Sequence, residues 1–348
     1  MADLRIIEGD YVRDILDQPA ALKDTLAKLS PPSRLHRLAA KLNRGQFERI
    51  VLTGMGSSFH ILHPLNLALV AAGFTPILVE TSELIHYENQ FLNAKTLVVA
   101  VSQSGMSAEM VRLLEINRRQ APIIAVTNSP RSPLANASEA TLLTRAGKEF
   151  SVSCKTYLTA LLALRWLGDV LCEQELRKTR QELQEAPLAV ECYLANWKDH
   201  VRTLAGQLTR IRHLFLVGRG GSLAAVGSGA LTIKESAHFP AEGMSSAAFR
   251  HGPFEMLSRE TFVLAFAGDP KTRALNHRLW QDIREKHGQA DIVGETGSGL
   301  PYCLPSVPLS LLPILEILPV QMITLALAAC RGREAGRFEL ASKVTTVE

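Results

Sequence analysis

The chain has 348 residues, with 38 lysines and arginines against 34 aspartates and glutamates, a net charge of +4 and 47% hydrophobic residues. That balance excludes intrinsic disorder. At this length a folded chain buries roughly 75% of the surface it exposes when unfolded, and two halves near 150 residues each are expected.

Residues 1–34 read as a helical extension. From Arg49 onward, apolar strands run into small-residue loops and then helices, which is α/β alternation. Arg49 to Thr53 leads into Gly54-Met55-Gly56-Ser57-Ser58 and a helix through about Ala72. Ile77 to Glu80 ends at Thr81-Ser82-Glu83. Thr96 to Val101 opens into Ser102-Gln103-Ser104-Gly105-Met106-Ser107, followed by a helix with Met110, Val111 and Leu114 at helical spacing, and Ile123 to Thr127 is a fourth strand. The order then recurs. His213 to Val217 runs into Gly218-Arg219-Gly220-Gly221-Ser222, so Gly218 follows Gly54 by 164 residues, and Thr261, which opens the strand to Phe266, follows Thr96 by 165. Matched offsets predict a duplicated, doubly wound α/β domain. Between the copies, residues 155–207 favour helix and contain one proline, Pro187.

No apolar run is expected to reach the ~20 residues of a bilayer span. The amino terminus lacks the basic-then-apolar pattern of a signal peptide, so the expected location is the cytoplasm. Cys154, Cys172, Cys192, Cys303 and Cys330 are odd in number, widely separated and free of C-x-x-C spacing; they read as reduced thiols, with no metal site. Without a long basic block, the slight positive charge suits small anionic substrates better than nucleic acid.

Three groups of residues could carry chemistry. The loop 102–107 offers three hydroxyls, an amide and backbone N–H groups at a helix start, a suitable cradle for a phosphate. Taken alone it is equally a turn that caps the helix. Gly54-Met55-Gly56-Ser57-Ser58 should lie beside it at the carboxyl edge of the same sheet; Phe59 breaks the G-x-G-x-x-G dinucleotide fingerprint. Glu235 and His251, sixteen residues apart, make a plausible acid/base pair, although spacing alone favours a solvated helix face and a turn before Pro253. Lys343, near the end of the chain, could attack a carbonyl if packing lowered its pKa, but in isolation it reads as a surface lysine.

Together these residues resemble the sugar isomerase (SIS) family, especially the members forming the isomerase half of glucosamine-6-phosphate synthase. The likeness spans roughly Leu35 to Glu348 and rests on Ser-Gln-Ser-Gly-x-Ser at 102–107, Thr127-Asn128, Lys234-Glu235, His251-Gly252-Pro253 and Ala341-Ser342-Lys343-Val344-Thr345. The resemblance implies tandem flavodoxin-like αβα sandwiches, with SIS domains at 35–175 and 207–335, a helical connection at 176–206, and a tail at 336–348 that completes the active site. It implies that Ser58, Ser102, Gln103, Ser104 and Ser107 bind the sugar phosphate, and that Gly56, Ser57, Glu149 and Ser153 line the pocket. Glu235 would move a proton between sugar carbons 1 and 2, His251 would assist ring opening, and Lys343 would contact or form an imine with the carbonyl. A homodimer or higher homo-oligomer with shared active sites is implied, with a sugar phosphate as the partner, no nucleic acid or membrane, and no cofactor.

Departures from the synthase pattern narrow the chemistry. Ala2 stands where the synthase has its nucleophilic cysteine, and Thr232 stands where it has a lysine three positions before the glutamate, so glutamine-dependent amino transfer is not expected. Cys154-Lys155 replaces Thr-Lys with one residue fewer after Glu149, and Ser342 precedes Lys343 where the synthase order is reversed. The expected function is that of a phosphosugar isomerase or aminosugar-phosphate deaminase. The alternatives are a fructosamine-6-phosphate deglycase and a sugar-phosphate-binding regulator without catalysis.

Overall fold

The computed structural model describes residues 4–340 and 342–345. It divides into two compact units: a first-sheet unit of residues 20–148, 155–184 and the tail from 340, and a second-sheet unit of residues up to 19, 149–154 and 185–339.

The first-sheet unit is built on β1 (Arg49–Gly54), β2 (Pro76–Glu80), β3 (Thr96–Val101), β4 (Ile123–Thr127) and β5 (Ala140–Leu143), all parallel in the order β2-β1-β3-β4-β5. The second-sheet unit holds β6 (His213–Gly218), β7 (Ala241–Ser245), β8 (Thr261–Phe266) and β9 (Gln289–Val293), again parallel, in the order β7-β6-β8-β9. The sequences of β3 (TLVVAV) and β8 (TFVLAF) explain why these are central strands. Every residue of both is buried, as a parallel strand covered on two faces requires. The doubly wound α/β expectation therefore holds, and the two sheets repeat the same order about their first strand.

The Ala108–Asn117 helix covers one face of the first sheet, where Met110 and Leu113 join Val51, Val98, Ala100 and Ile123 in one cluster. The buried stripe is thus centred on Met110 and Leu113, whereas the sequence pointed to Met110, Val111 and Leu114; Val111 and Leu114 lie at its half-buried edges. As expected, residues 155–207 are helical, in Lys155–Leu171, Leu176–Leu183, Glu185–Leu194 and Trp197–Leu208. Pro187 falls in the first turn of its helix, where a missing N–H costs no internal bond. All five cysteines are free thiols.

One expectation is corrected. Leu309–Cys330 is 22 residues long and apolar enough to cross a membrane by length and composition, but 89% of its most apolar stretch is buried inside the fold. It ends in the Ile317–Cys330 helix, which packs on the Leu223–Ala237 and Trp197–Leu208 helices. A helix apolar on all sides belongs to the interior of a large core. Pro313, Glu316 and Pro319 interrupt the apolar run and disguise its length in the sequence.

Phe262 on β8 is fully buried and stacks on Tyr302, with ring centroids 6.4 Å apart. Replacing it leaves a cavity that surrounding strands cannot close. Phe262→Ala should lower the unfolding free energy by about 3–5 kcal/mol in urea titration; a loss below about 1 kcal/mol would contradict its place in the core.

Candidate functional site

In the first-sheet unit, β1 and β3 are hydrogen-bonded neighbours with Gly54 opposite Val101. The chain leaves them toward β2 on one side and β4 on the other, so the loops 54–58 and 102–107 emerge side by side where the strand order reverses. Crevices at such points are the usual ligand sites of open α/β sheets. The two hydroxyl-rich loops are therefore together, as the sequence led us to expect.

The 102–107 loop is held in shape from within and from below. Gly105 adopts φ +64°, and an added Cβ would collide with the Ser132 side chain. The Ser102 Oγ accepts the Gly105 N–H at 3.1 Å, and the Ser104 Oγ accepts the Met106 N–H at 3.2 Å. In both cases the hydroxyl proton remains to be donated. Underneath, the Gln103 carbonyl accepts from the Thr127 hydroxyl at 3.2 Å and the Asn128 N–H at 3.1 Å. Asn128 in turn accepts from Ala146 N–H and the Thr144 hydroxyl and donates to the Gly147 carbonyl. Thr127-Asn128 is thus the bracket that fixes the loop.

Ser107 precedes the Ala108–Asn117 helix, yet its hydroxyl makes no capping bond. A turn that existed to cap the helix would use it. Ser102 is buried, while Gln103, Ser104 and Ser107 are half-buried. In the neighbouring loop Gly56, Ser57 and Ser58 are all half-buried, and Gly54 lies so close to Ser58 that a Cβ would sit 2.8 Å from the Ser58 carbonyl. The tail also docks in this unit. The Thr345 carbonyl accepts the Ala108 N–H at 3.1 Å, and Lys343 is half-buried. Ala341 and residues 346–348 lie outside the described residues.

The second-sheet unit carries Glu235, in the last turn of the Leu223–Ala237 helix. Lys234 is exposed, but Glu235 is half-buried, so the pair straddles the edge of the solvated face. Loss of water pushes the Glu235 carboxyl up to about 7, against the opposing pull of the Lys234 ammonium. A glutamate that titrates near neutral pH is suited to giving and taking a proton.

Its surroundings contain residues that no motif indicated. Tyr11, on the Asp10–Leu16 helix, is fully buried beside Ser236 and Thr324, and the Thr324 hydroxyl lies 3.3 Å from its own. Burial, reinforced by Cys154 and Glu235, pushes the Tyr11 phenol up. Gly336, at φ +76°, donates its N–H to the Ser236 carbonyl at 2.9 Å, and a Cβ there would meet Tyr11. No motif in the sequence marks either Tyr11 or Gly336.

Glu149 and Ser153 lie on the short segment 149–154 of this unit. Glu149 is buried and its Oε1 accepts the Cys154 N–H at 2.8 Å, which folds the segment on itself; Ser153 is half-buried. His251 follows the Ser246–Arg250 helix, donates its N–H to the Ala248 carbonyl at 3.0 Å and leaves its side chain exposed. Gly252 then takes φ +142° to reach Pro253.

The SIS domain model matches residues 46–168 and 207–295, more than half of the sequence. The chain belongs to the SIS domain family. These two SIS matches contain the two parallel sheets, including both loops of the first sheet, Glu235 and His251. Over 363 residues the chain is 28% identical to glutamine–fructose-6-phosphate aminotransferase [isomerizing] of Pyrococcus horikoshii, covering 100% of this chain and 59% of that protein. It spans, in other words, a little over half the length of such curated relatives. Two solved structures share the fold. The C-terminal domain of glucosamine-fructose-6-phosphate aminotransferase from Francisella tularensis superposes with a TM-score of 0.84 at 20% identity, over 97% of this chain and 100% of that one. Glucosamine-6-phosphate deaminase from Thermotoga maritima does so with a TM-score of 0.79 at 18% identity, over 97% of this chain and 100% of that one.

The strain that Gly105 avoids gives a direct check on the loop. Gly105→Ala should cost more than about 1 kcal/mol of stability, because alanine must enter a positive-φ conformation and displace Ser132. Hydrogen exchange should quicken across 102–107. Unchanged exchange there would show that the loop is not constrained in this way.

Proposed function

We propose that this SIS protein is a phosphosugar isomerase or aminosugar-phosphate deaminase. It binds a hexose 6-phosphate derivative and moves a proton between carbons 1 and 2. The observation that carries this reading is the Glu235 carboxyl, held near pH 7 by partial burial on a helix of the second sheet. The serine loop is its complement, since Ser102 and Ser104 keep hydroxyl protons for an anion and Ser107 has no capping duty. The activities named for relatives across the family support the same class.

In this mechanism the phosphate anchors the substrate at residues 102–107, with Gln103 and Ser58 as further donors. Anchoring turns a remote group into orientation at the reacting carbons. The Glu235 carboxylate removes the proton from the carbon beside the carbonyl or imine. The electron pair of that C–H bond becomes an enediol or enaminol, and the same carboxyl returns its proton to the neighbouring carbon. His251 assists opening of the sugar ring, and Lys343 contacts the carbonyl oxygen or forms an imine with its carbon. Gly56, Ser57, Glu149 and Ser153 shape the pocket, and a homodimer or larger homo-oligomer shares the sites between subunits. Thr232, buried three positions before Glu235, supplies no ammonium group where the synthase pattern has a lysine, which favours reactions without amino transfer from ammonia.

The same proton shift on a fructosamine 6-phosphate gives an aldose imine that water hydrolyses. An assay that couples glucose 6-phosphate release to detection of free amine separates this deglycase reaction from simple isomerisation. Tight binding with no turnover of any of these substrates would leave a regulator.

Two results test the proposal. Glu235→Gln should lower kcat by at least 1,000-fold, on the order of the general-base effect, while fructose 6-phosphate binding changes little; a rate near that of the unaltered protein would refute the assignment. For the unaltered protein, kcat/KM should fall as pH drops below about 7, because the proton acceptor is the ionised form of Glu235. An acid limb at the ordinary glutamate value, about 4.3, would point to another base.

A further inference from the structure

The second sheet reverses its strand order between β6 and β8, as the first does between β1 and β3. Residues 219–222 follow β6 and lead into the Leu223–Ala237 helix, and Ala267-Gly268-Asp269 follow β8. Gly268 takes φ +67°, and a Cβ there would sit 3.2 Å from the Ser222 Oγ and 3.4 Å from the Asn276 Nδ2. Asn276 is fully buried and satisfied, donating to the Ala267 carbonyl at 3.2 Å and accepting from the Ser246 hydroxyl at 2.9 Å. The residues that pack beneath Gly268 at this switch point are therefore an ordered polar layer.

Two groups there are left incomplete. Glu316 is 1% exposed; its Oε1 accepts the Ser222 hydroxyl at 2.7 Å, but its Oε2 is buried with no partner among the described residues. Arg219, on the half-buried rim with Gly220 and Gly221, has a buried Nε without a partner, and among the described residues its guanidinium enters no ion pair. The nearby Asp269 carboxylate is already engaged by the Lys271 N–H at 2.6 Å. A buried carboxyl with one open oxygen calls for a hydrogen-bonding group, and an unpaired guanidinium beside a helix start calls for an anion. Burial pushes the Glu316 carboxyl up to about 8, so at pH 7 it is largely neutral and does not repel that anion.

We propose that this crevice of the second sheet is a second binding site for a phosphorylated sugar, with Arg219 holding the phosphate and Glu316 Oε2 exchanging a hydrogen bond with a sugar hydroxyl. It is distinct from the serine-loop site, which belongs to the other compact unit. Calorimetric titration of the full chain with fructose 6-phosphate tests it. Two equivalents should bind per chain. Arg219→Ala should weaken one of them at least tenfold and leave the other, whereas Ser104→Ala with Ser107→Ala should do the reverse. Glu316→Gln, which preserves volume, should retain the native circular dichroism and change only the Arg219-dependent affinity, by more than threefold. One equivalent per chain, or two equivalents that both survive Arg219→Ala, would overturn the proposal.

Discussion

The proposed chemistry would depend on one carboxyl group that the fold withdraws halfway from water. Glu235 is placed on a helix that must bury its other face: Thr232, Ile233, Ser236 and Ala237 are all inside, whereas the adjacent Lys234 is exposed. Full exposure would leave a glutamate ionised and weakly basic at neutral pH. Complete burial, as at Glu316, pushes the group further and keeps it protonated. The intermediate position poises the proton near pH 7, where one residue can both accept and return it. At that helix end the Gly336 N–H donates to the Ser236 carbonyl, and the buried Tyr11 lies beside Ser236.

The serine loop works by the opposite device. Its hydroxyls are presented because the backbone around them is spoken for: Thr127 and Asn128 hold the Gln103 carbonyl, and Gly105 takes the one conformation that lets the chain turn above Ser132. Preorganised donors cost little reorganisation when an anion arrives, so a short loop without lysine would suffice for the phosphate of the proposed substrate. The tail adds a local constraint, because the Thr345 carbonyl occupies the first N–H of the helix that follows the loop.

Much of this was legible in the sequence, for specific reasons. Uninterrupted apolar strands such as Thr96 to Val101 can only be buried on both faces, and the offset between Gly54 and Gly218 exposed the repeat. The loop at 102–107 announced itself through its clustered hydroxyls and glycine. Glu235 was singled out through the Lys234-Glu235 match, but its half-burial was not legible, since a Lys-Glu pair on a helix looks the same whether solvated or half-buried; its environment comes from residues more than 200 positions away, such as Tyr11. The core helix before Cys330 was obscured because Pro313, Glu316 and Pro319 break a run whose burial only the folded state reveals. Likewise, nothing local marks 149–154 as part of a different compact unit from the residues on either side.

The most direct test of the account is a crystal structure of the protein soaked with fructose 6-phosphate. The phosphate is expected within hydrogen-bond distance of the Ser102, Ser104 and Ser107 hydroxyls, with a Glu235 carboxylate oxygen about 3 Å from carbon 1 or 2 of the same sugar. A phosphate seated on that loop with no Glu235 carboxylate from any subunit near those carbons would contradict it.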